Sequence, residues 1–113
     1  MTSKILTKND LPKIRKNFRN KRIGLAHGVF DLFHYGHLLH LKSAKSKCDV
    51  LIVSITAKKF VSKGPGRPYY NDAERLQMIS ALNDVDYVVI SNSKSSGEII
   101  NKLKPNLYFK GKE

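Results

Sequence analysis

A chain of 113 residues has room for one domain and one core, which excludes a two-domain enzyme within these limits. With 41% hydrophobic and 27% charged residues and no long polar tract, disorder is not the default. No apolar run approaches the roughly 18 residues of a membrane span. The net charge of +12, from 21 Lys and Arg against 9 Asp and Glu, suits a nucleic-acid binder, a membrane-surface protein or an enzyme acting on phosphates. The basic N-terminus lacks the apolar run of a signal peptide, which points to the cytoplasm. One cysteine, Cys48, excludes an internal disulfide framework and a multi-cysteine zinc site, and reads as a small buried side chain.

The excess charge is spread rather than striped. It lies in KIRKNFRNKR (13–22), SAKSK (43–47) and KKFVSKGPGRP (58–68), with Lys102, Lys104, Lys110 and Lys112 near the end. A lysine-rich solvated face accounts for it at least as well as a dedicated nucleic-acid surface.

In chain order, residues 7–20 predict a short cationic helix. Asn9 or Asp10 is its N-cap, Pro12 sits in the first turn, and Leu11, Ile14 and Phe18 share one face. RIGLAHGVF (22–30) predicts a strand that feeds the loop DLFHYG. A helix over 36–47 follows, with Leu38, Leu41, Ala44 and Cys48 on one stripe. DVLIVSI (49–55) is a continuous apolar strand of the kind covered on both faces. The Gly- and Pro-rich stretch 56–70 is a loop. The helix NDAERLQMISAL (71–82) is capped by Asn71 with Glu74 three residues on, and buries Leu76, Ile79 and Leu82. VDYVVIS (85–91) is a strand, SGEIINKLK (96–104) a helix stopped before Pro105, and NLYFKG (106–111) a last strand. Alternating strands and helices predict an α/β fold, a parallel sheet with right-handed crossovers and helices on both faces. Ligands in such sheets bind beyond the carboxyl ends of the strands.

HGVFDLFHYGH (27–37), at the end of the first long strand, holds three of the four histidines. The three-residue spacing of His34 and His37 puts both imidazoles on one side of the first helical turn. Free backbone N–H groups and the positive end of the helix dipole face the same point, which suits an anion such as phosphate. Gly28 and Gly36 would let a phosphate approach the backbone. Imidazoles there can donate to oxygens that gain charge during an in-line displacement, with no nucleophilic side chain required. Lys63 and Arg67, in the loop after the second long strand, would neutralise further phosphates. Asp31 would orient a histidine, help hold Mg²⁺ through water, or bind nearby backbone N–H groups in an Asx-turn. His27 and His40 read as ordinary structural histidines. A zinc site from His34, His37 and His40 is geometrically awkward, because their offsets drift around the helix and no nearby Cys or Glu completes it.

GVFDLFHYGH resembles the G-x-F-D-x-x-H-x-G-H signature of the cytidylyltransferase-like nucleotidyltransferases. The resemblance continues through CDVLIVSI, KGPGRPYYNDAERLQMISALNDVDYVV and LKPNLYFKGKE, over roughly residues 22–113. Within that superfamily the later runs are most similar to the heptose 1-phosphate adenylyltransferase domain, with glycerol-3-phosphate cytidylyltransferase close behind. The resemblance implies a Rossmann-like three-layer fold with four or five parallel strands in a single domain. Residues 1–21 would form a basic helical extension and 22–113 the nucleotide-binding core, its C-terminal part missing after Glu113. It implies transfer of CMP or AMP from CTP or ATP to a sugar or polyol phosphate, with release of pyrophosphate, Mg²⁺ accompanying the nucleotide and a homodimer as the assembly. His34 and His37 would stabilise the α-phosphate and Lys63 would bind phosphate near the reacting centre. Gly28, Val29, Phe30, Asp31 and Gly36 would shape the nucleotide pocket, and Arg67 and Arg75 match the family's basic positions. Two other readings stand beside this one: a nucleic-acid-binding module, with the clustered histidines arguing against it, and an inactive nucleotide-binding remnant.

Overall fold

A computed structural model describes residues 3–61, 64, 66–93 and 95–110. Five parallel strands form one sheet in the order β1-β4-β3-β2-β5, with β1 at Ile5–Leu6, β2 at Ile23–Gly28, β3 at Val50–Thr56, β4 at Tyr87–Ser91 and β5 at Leu107–Lys110. The helices are α1 (Leu11–Asn17), α2 (Tyr35–Ser46), α3 (Asp72–Ser80) and α4 (Gly97–Leu103). All seven residues of β3 are buried, as a central strand covered on both faces requires.

Alternation along β2 divides the core in two. Ala26 points into a cluster with Leu41 and Ala44 of α2 and Ile79 of α3. Ile23 and Leu25 point the other way, into a cluster with Leu11 and Ile14 of α1 and Ile99 and Leu103 of α4. The three layers expected from the sequence are therefore α2 and α3, the sheet, and α1 and α4.

The N-terminal segment is not an extension of this core. Ile5 and Leu6 pair with Val88 and Val89, so they add the edge strand β1, and Leu11 is fully buried. The expected helix over 7–20 is shorter, because Asp10 accepts a hydrogen bond from the Thr7 backbone N–H at 2.9 Å and turns Lys8–Asp10 into a 3-10 turn. At the other end, the Arg15 guanidinium donates to the carbonyls of Phe18 (2.9 Å), Lys21 (3.1 Å) and Lys104 (3.1 Å) and so closes the helix against the end of α4. One cation of the basic run is thus a structural clamp. Lys13, Lys16, Arg19, Lys21 and Arg22 remain exposed and make no ion pair among the described residues.

Cys48 is half-buried, and burial pushes its thiol above the ordinary value, as the small-packing reading requires. Its Sγ occupies space that only Gly24 leaves open, since a Cβ on Gly24 would lie 2.8 Å from Cys48 Sγ and 2.8 Å from Phe109. Asn71 and Glu74 form the expected capping box on α3, with N–H to oxygen distances of 2.8 and 2.9 Å.

Candidate active site at the carboxyl end of β2

The turn that carries the site begins with a strained residue. After Gly28 and Val29, Phe30 adopts φ 51°, a left-handed conformation that costs a bulky residue about 1–2 kcal/mol. Its ring is buried among the residues of the α2 side and meets His37 edge-on at 5.4 Å. The strain reverses the chain so that it enters α2 with His34 as the N-cap residue. Phe30, expected to shape the nucleotide pocket, is spatially a buttress for His37.

The two histidines cap the helix reciprocally. Gly36 N–H donates to His34 Nδ1 at 3.0 Å, and His34 N–H donates to His37 Nδ1 at 3.2 Å. A ring nitrogen that accepts from a backbone N–H carries no proton, so the neutral ring that fits each position holds its proton on Nε2. The helix cap therefore fixes both tautomers before any ligand arrives. The rings stack at 4.0 Å between centroids and 26° between planes, and Phe33 lies 5.5 Å from His37 on its other side. The first turn of α2 carries no acidic side chain to offset the helix dipole. Gly36 serves this arrangement directly, since a Cβ there would lie 2.8 Å from His34 Cε1. The space it leaves is filled by the protein's own imidazole, a use of this glycine that differs from the expected approach of a phosphate.

Asp31 bridges to the loop that follows β3. It is 2% exposed, and its two oxygens accept from Arg67 Nε and from the Tyr69 backbone N–H. Burial alone would raise this carboxyl, but the Arg67 hydrogen bond, then the Tyr69 N–H and the Arg67 charge, outweigh it and hold it below the ordinary value. Both oxygens are engaged across the loop, and no histidine is among its described hydrogen-bond partners. The backbone N–H it accepts from belongs to Tyr69, 38 residues away, so this bond is a tertiary tie and not the local Asx-turn expected. Among the described residues no three His, Cys, Asp or Glu side chains gather as metal ligands.

Arg67 is thereby brought to the carboxyl end of β2. Its guanidinium lies 4.9 Å from the Tyr69 ring centroid, and among the described residues only Nε is engaged by a hydrogen bond. Its two terminal nitrogens remain as donors for an anion. The peptide bond from Arg67 to Pro68 is cis. Lys63 lies outside the described residues.

Arg75 takes a different place from the nucleotide contact expected of it. It is 0% exposed. Its guanidinium donates to Val29 O (2.9 Å), Thr56 O (2.7 Å), Tyr70 O (3.2 Å) and Asp72 (2.8 Å). It ties the ends of β2 and β3 to the start of α3, behind the site rather than in it. Nothing in its spacing signals this, since the carbonyls it serves belong to three separate segments.

Of the remaining histidines, His27 binds side chains of β3 and is described below. His40 does not join His34 and His37, and its Nε2 is buried without a hydrogen-bond partner among the described residues.

Known proteins resemble this chain in sequence and in fold. Residues 25–113 match the model of the cytidylyltransferase-like family. The bifunctional protein HldE of Aliarcobacter butzleri is 36% identical over 113 residues, covering 96% of this chain and 24% of that protein. HldE of Geobacter metallireducens is 40% identical over 95 residues, covering 82% and 19%. The chain thus spans about a quarter or less of the length of these relatives. The lipopolysaccharide core biosynthesis protein from Thermoplasma volcanium superposes with a TM-score of 0.70 at 28% identity, covering 78% of this chain and 72% of that one. Pantoate-beta-alanine ligase from Francisella tularensis, complexed with beta-gamma ATP and beta-alanine, gives 0.56 at 28% identity, over 88% and 38%.

Proposed function

Since the chain belongs to the cytidylyltransferase-like family, we propose that it transfers a nucleotidyl group, CMP from CTP or AMP from ATP, to a phosphorylated sugar or polyol. Pyrophosphate is the second product. The observation that carries this reading is the reciprocal cap of His34 and His37, which aligns two Nε2–H donors at a helix N-terminus. An oxygen of the acceptor phosphate attacks the α-phosphorus in line, the new P–O bond forms, and the bond to pyrophosphate breaks. The imidazole donors stabilise the α-phosphate oxygens as they gain charge, and no covalent enzyme intermediate is needed. Arg67, held by Asp31, neutralises the polyphosphate. The neighbours' names support a nucleotide and a sugar-linked acceptor, since one is a lipopolysaccharide core biosynthesis protein and another was solved with an ATP analogue.

Mg²⁺ belongs to this proposal as a companion of the nucleotide, beside an Asp31 held by Arg67 and Tyr69. A homodimer and a cytoplasmic location belong to it as well; among the described residues no helix is long and apolar enough to cross a membrane.

The test is a pyrophosphate-release screen with ATP and CTP against sugar and polyol phosphates, run beside His37→Ala. That variant loses one capping bond, about 1 kcal/mol, and is expected to lose about 10²-fold or more in turnover. Wild-type turnover in it, or polynucleotide binding that falls steeply with salt in place of any pyrophosphate release, rejects the proposal.

A further inference from the structure

On the face of the sheet that carries α1 and α4, the side chains change character along the strands. Toward the amino ends, Ile23 and Leu25 of β2, Val50 and Ile52 of β3 and Val89 of β4 form the apolar cluster with those helices. Toward the carboxyl ends, the register sets Lys110 of β5, His27 of β2 and Ser54 of β3 side by side, and then Thr56 beside Ser91. A parallel sheet covered on both faces is expected to continue in Val, Ile and Leu.

The polar groups are organised. His27 Nδ1 lies 2.7 Å from Ser54 Oγ and Nε2 lies 3.4 Å from Thr56 Oγ1. Ser54 and Thr56 are buried and hold the half-buried ring from one side, while Lys110 is exposed on the other. The two hydroxyls satisfy the ring as a neutral imidazole. Burial, and then the Lys110 charge, hold His27 below the ordinary histidine value, and no carboxylate among its described partners offsets either. An imidazole beside an ammonium with no acid between them is suited to an anion.

We propose that His27 and Lys110 form a second phosphate subsite across the β2–β5 pair, on the face opposite α2, that takes the phosphate of the acceptor: Ser54 donates to Nδ1 and holds the ring, and the Nε2–H exchanges its long 3.4 Å contact with Thr56 for a phosphate oxygen. The assignment to the acceptor rests on the nucleotidyl-transfer reading above. In-line displacement puts attacking and leaving oxygens on opposite sides of the α-phosphorus. Arg67 and the α2 N-terminus gather on the α2 and α3 side, which leaves this face for the attacking group. The nucleotide's polyphosphate is the other source of the same chemistry.

The experiment is isotope-edited NMR of the histidine rings of the intact chain, with the His27 signal assigned by His27→Gln. It is titrated with glucose 1-phosphate, ribose 5-phosphate and glycerol 3-phosphate, and separately with ATP and CTP. At least one sugar or polyol phosphate moves the His27 signal, and Lys110→Gln weakens that ligand about tenfold, the loss of one charge-assisted contact, with ATP and CTP within about twofold. Movement of His27 by nucleotide alone, no movement by any of the three, or unchanged affinity in Lys110→Gln overturns the subsite. Pyrophosphate release by the wild type with an unchanged acceptor KM in Lys110→Gln does the same and leaves the reaction standing. Absence of pyrophosphate from every wild-type pair rejects the reaction instead, whatever the rings report.

Discussion

Replacing Gly36 by Ala tests whether the helix cap and the chemistry share the same atoms. The added methyl would lie 2.8 Å from His34 Cε1 and 3.1 Å from His34 Nδ1, so the imidazole must swing out of the cap. The lost bond from Gly36 N–H to Nδ1 is a capping interaction of about 1 kcal/mol. Alanine in place of glycine within a helix recovers about 0.8–1.0 kcal/mol. The two nearly cancel, so thermal unfolding should place the variant within about 1 kcal/mol of the parent. Turnover should fall about 10² to 10³-fold, because one donor to the reacting phosphate is displaced. In a His34→Ala background the same substitution should cost almost nothing further, since the effect passes through that ring. Pyrophosphate release at saturating substrates and thermal melts of all four proteins give the cycle. A parent-like rate in Gly36→Ala, or a full additional loss in the double variant, refutes the reasoning.

Asp31→Asn removes a buried acceptor from either Arg67 or Tyr69 and is expected to cost about 1.5–3 kcal/mol in denaturant unfolding and to raise the nucleotide KM. Because the Asp31 pKa is lowered on folding, its contribution is complete above the unfolded value of about 3.9 and is lost as pH falls through the folded value. Wild type should therefore lose more stability than Asp31→Asn in acid. Arg75→Met strands the carbonyls of Val29, Thr56 and Tyr70 and should cost about 3 kcal/mol or more, a drop in Tm of roughly 10 °C or more by calorimetry. A melt within a few degrees of wild type would contradict its place as a tie. His27 also has a lowered pKa, so it stabilises the fold fully above the unfolded histidine value of about 6.5 and progressively less as pH falls below it. His27→Gln should flatten that part of the pH–stability curve, and an unchanged slope would show the ring to be uncoupled from folding.

Much of the architecture is legible in the sequence because it is written locally. Asn71 and Glu74 announce α3 by their spacing, and the unbroken run in β3 announces a central strand. The three-residue interval between His34 and His37 is likewise the interval of a capping box, so their convergence is readable before any coordinates. What escaped depends on partners distant in sequence. A strand of two residues, Ile5–Leu6, has no periodicity and exists because β4 offers an edge. Asp31 looks like a ligand until Arg67 and Tyr69 are folded over it, and Arg75 looks like a phosphate contact until four acceptors surround it. The conformation of Phe30 has no signal in its residue type, since a bulky ring at positive φ is disfavoured on its own.

The reciprocal cap makes readiness for reaction a property of the first turn of α2. Fraying of that turn releases His34 from the Gly36 N–H and His37 from the His34 N–H, so the placing of both rings depends on the stability of a single helical turn. The exchange rate of the Gly36 amide with solvent then becomes a gauge of how often the histidine pair is released, readable in the resting protein before any substrate is identified.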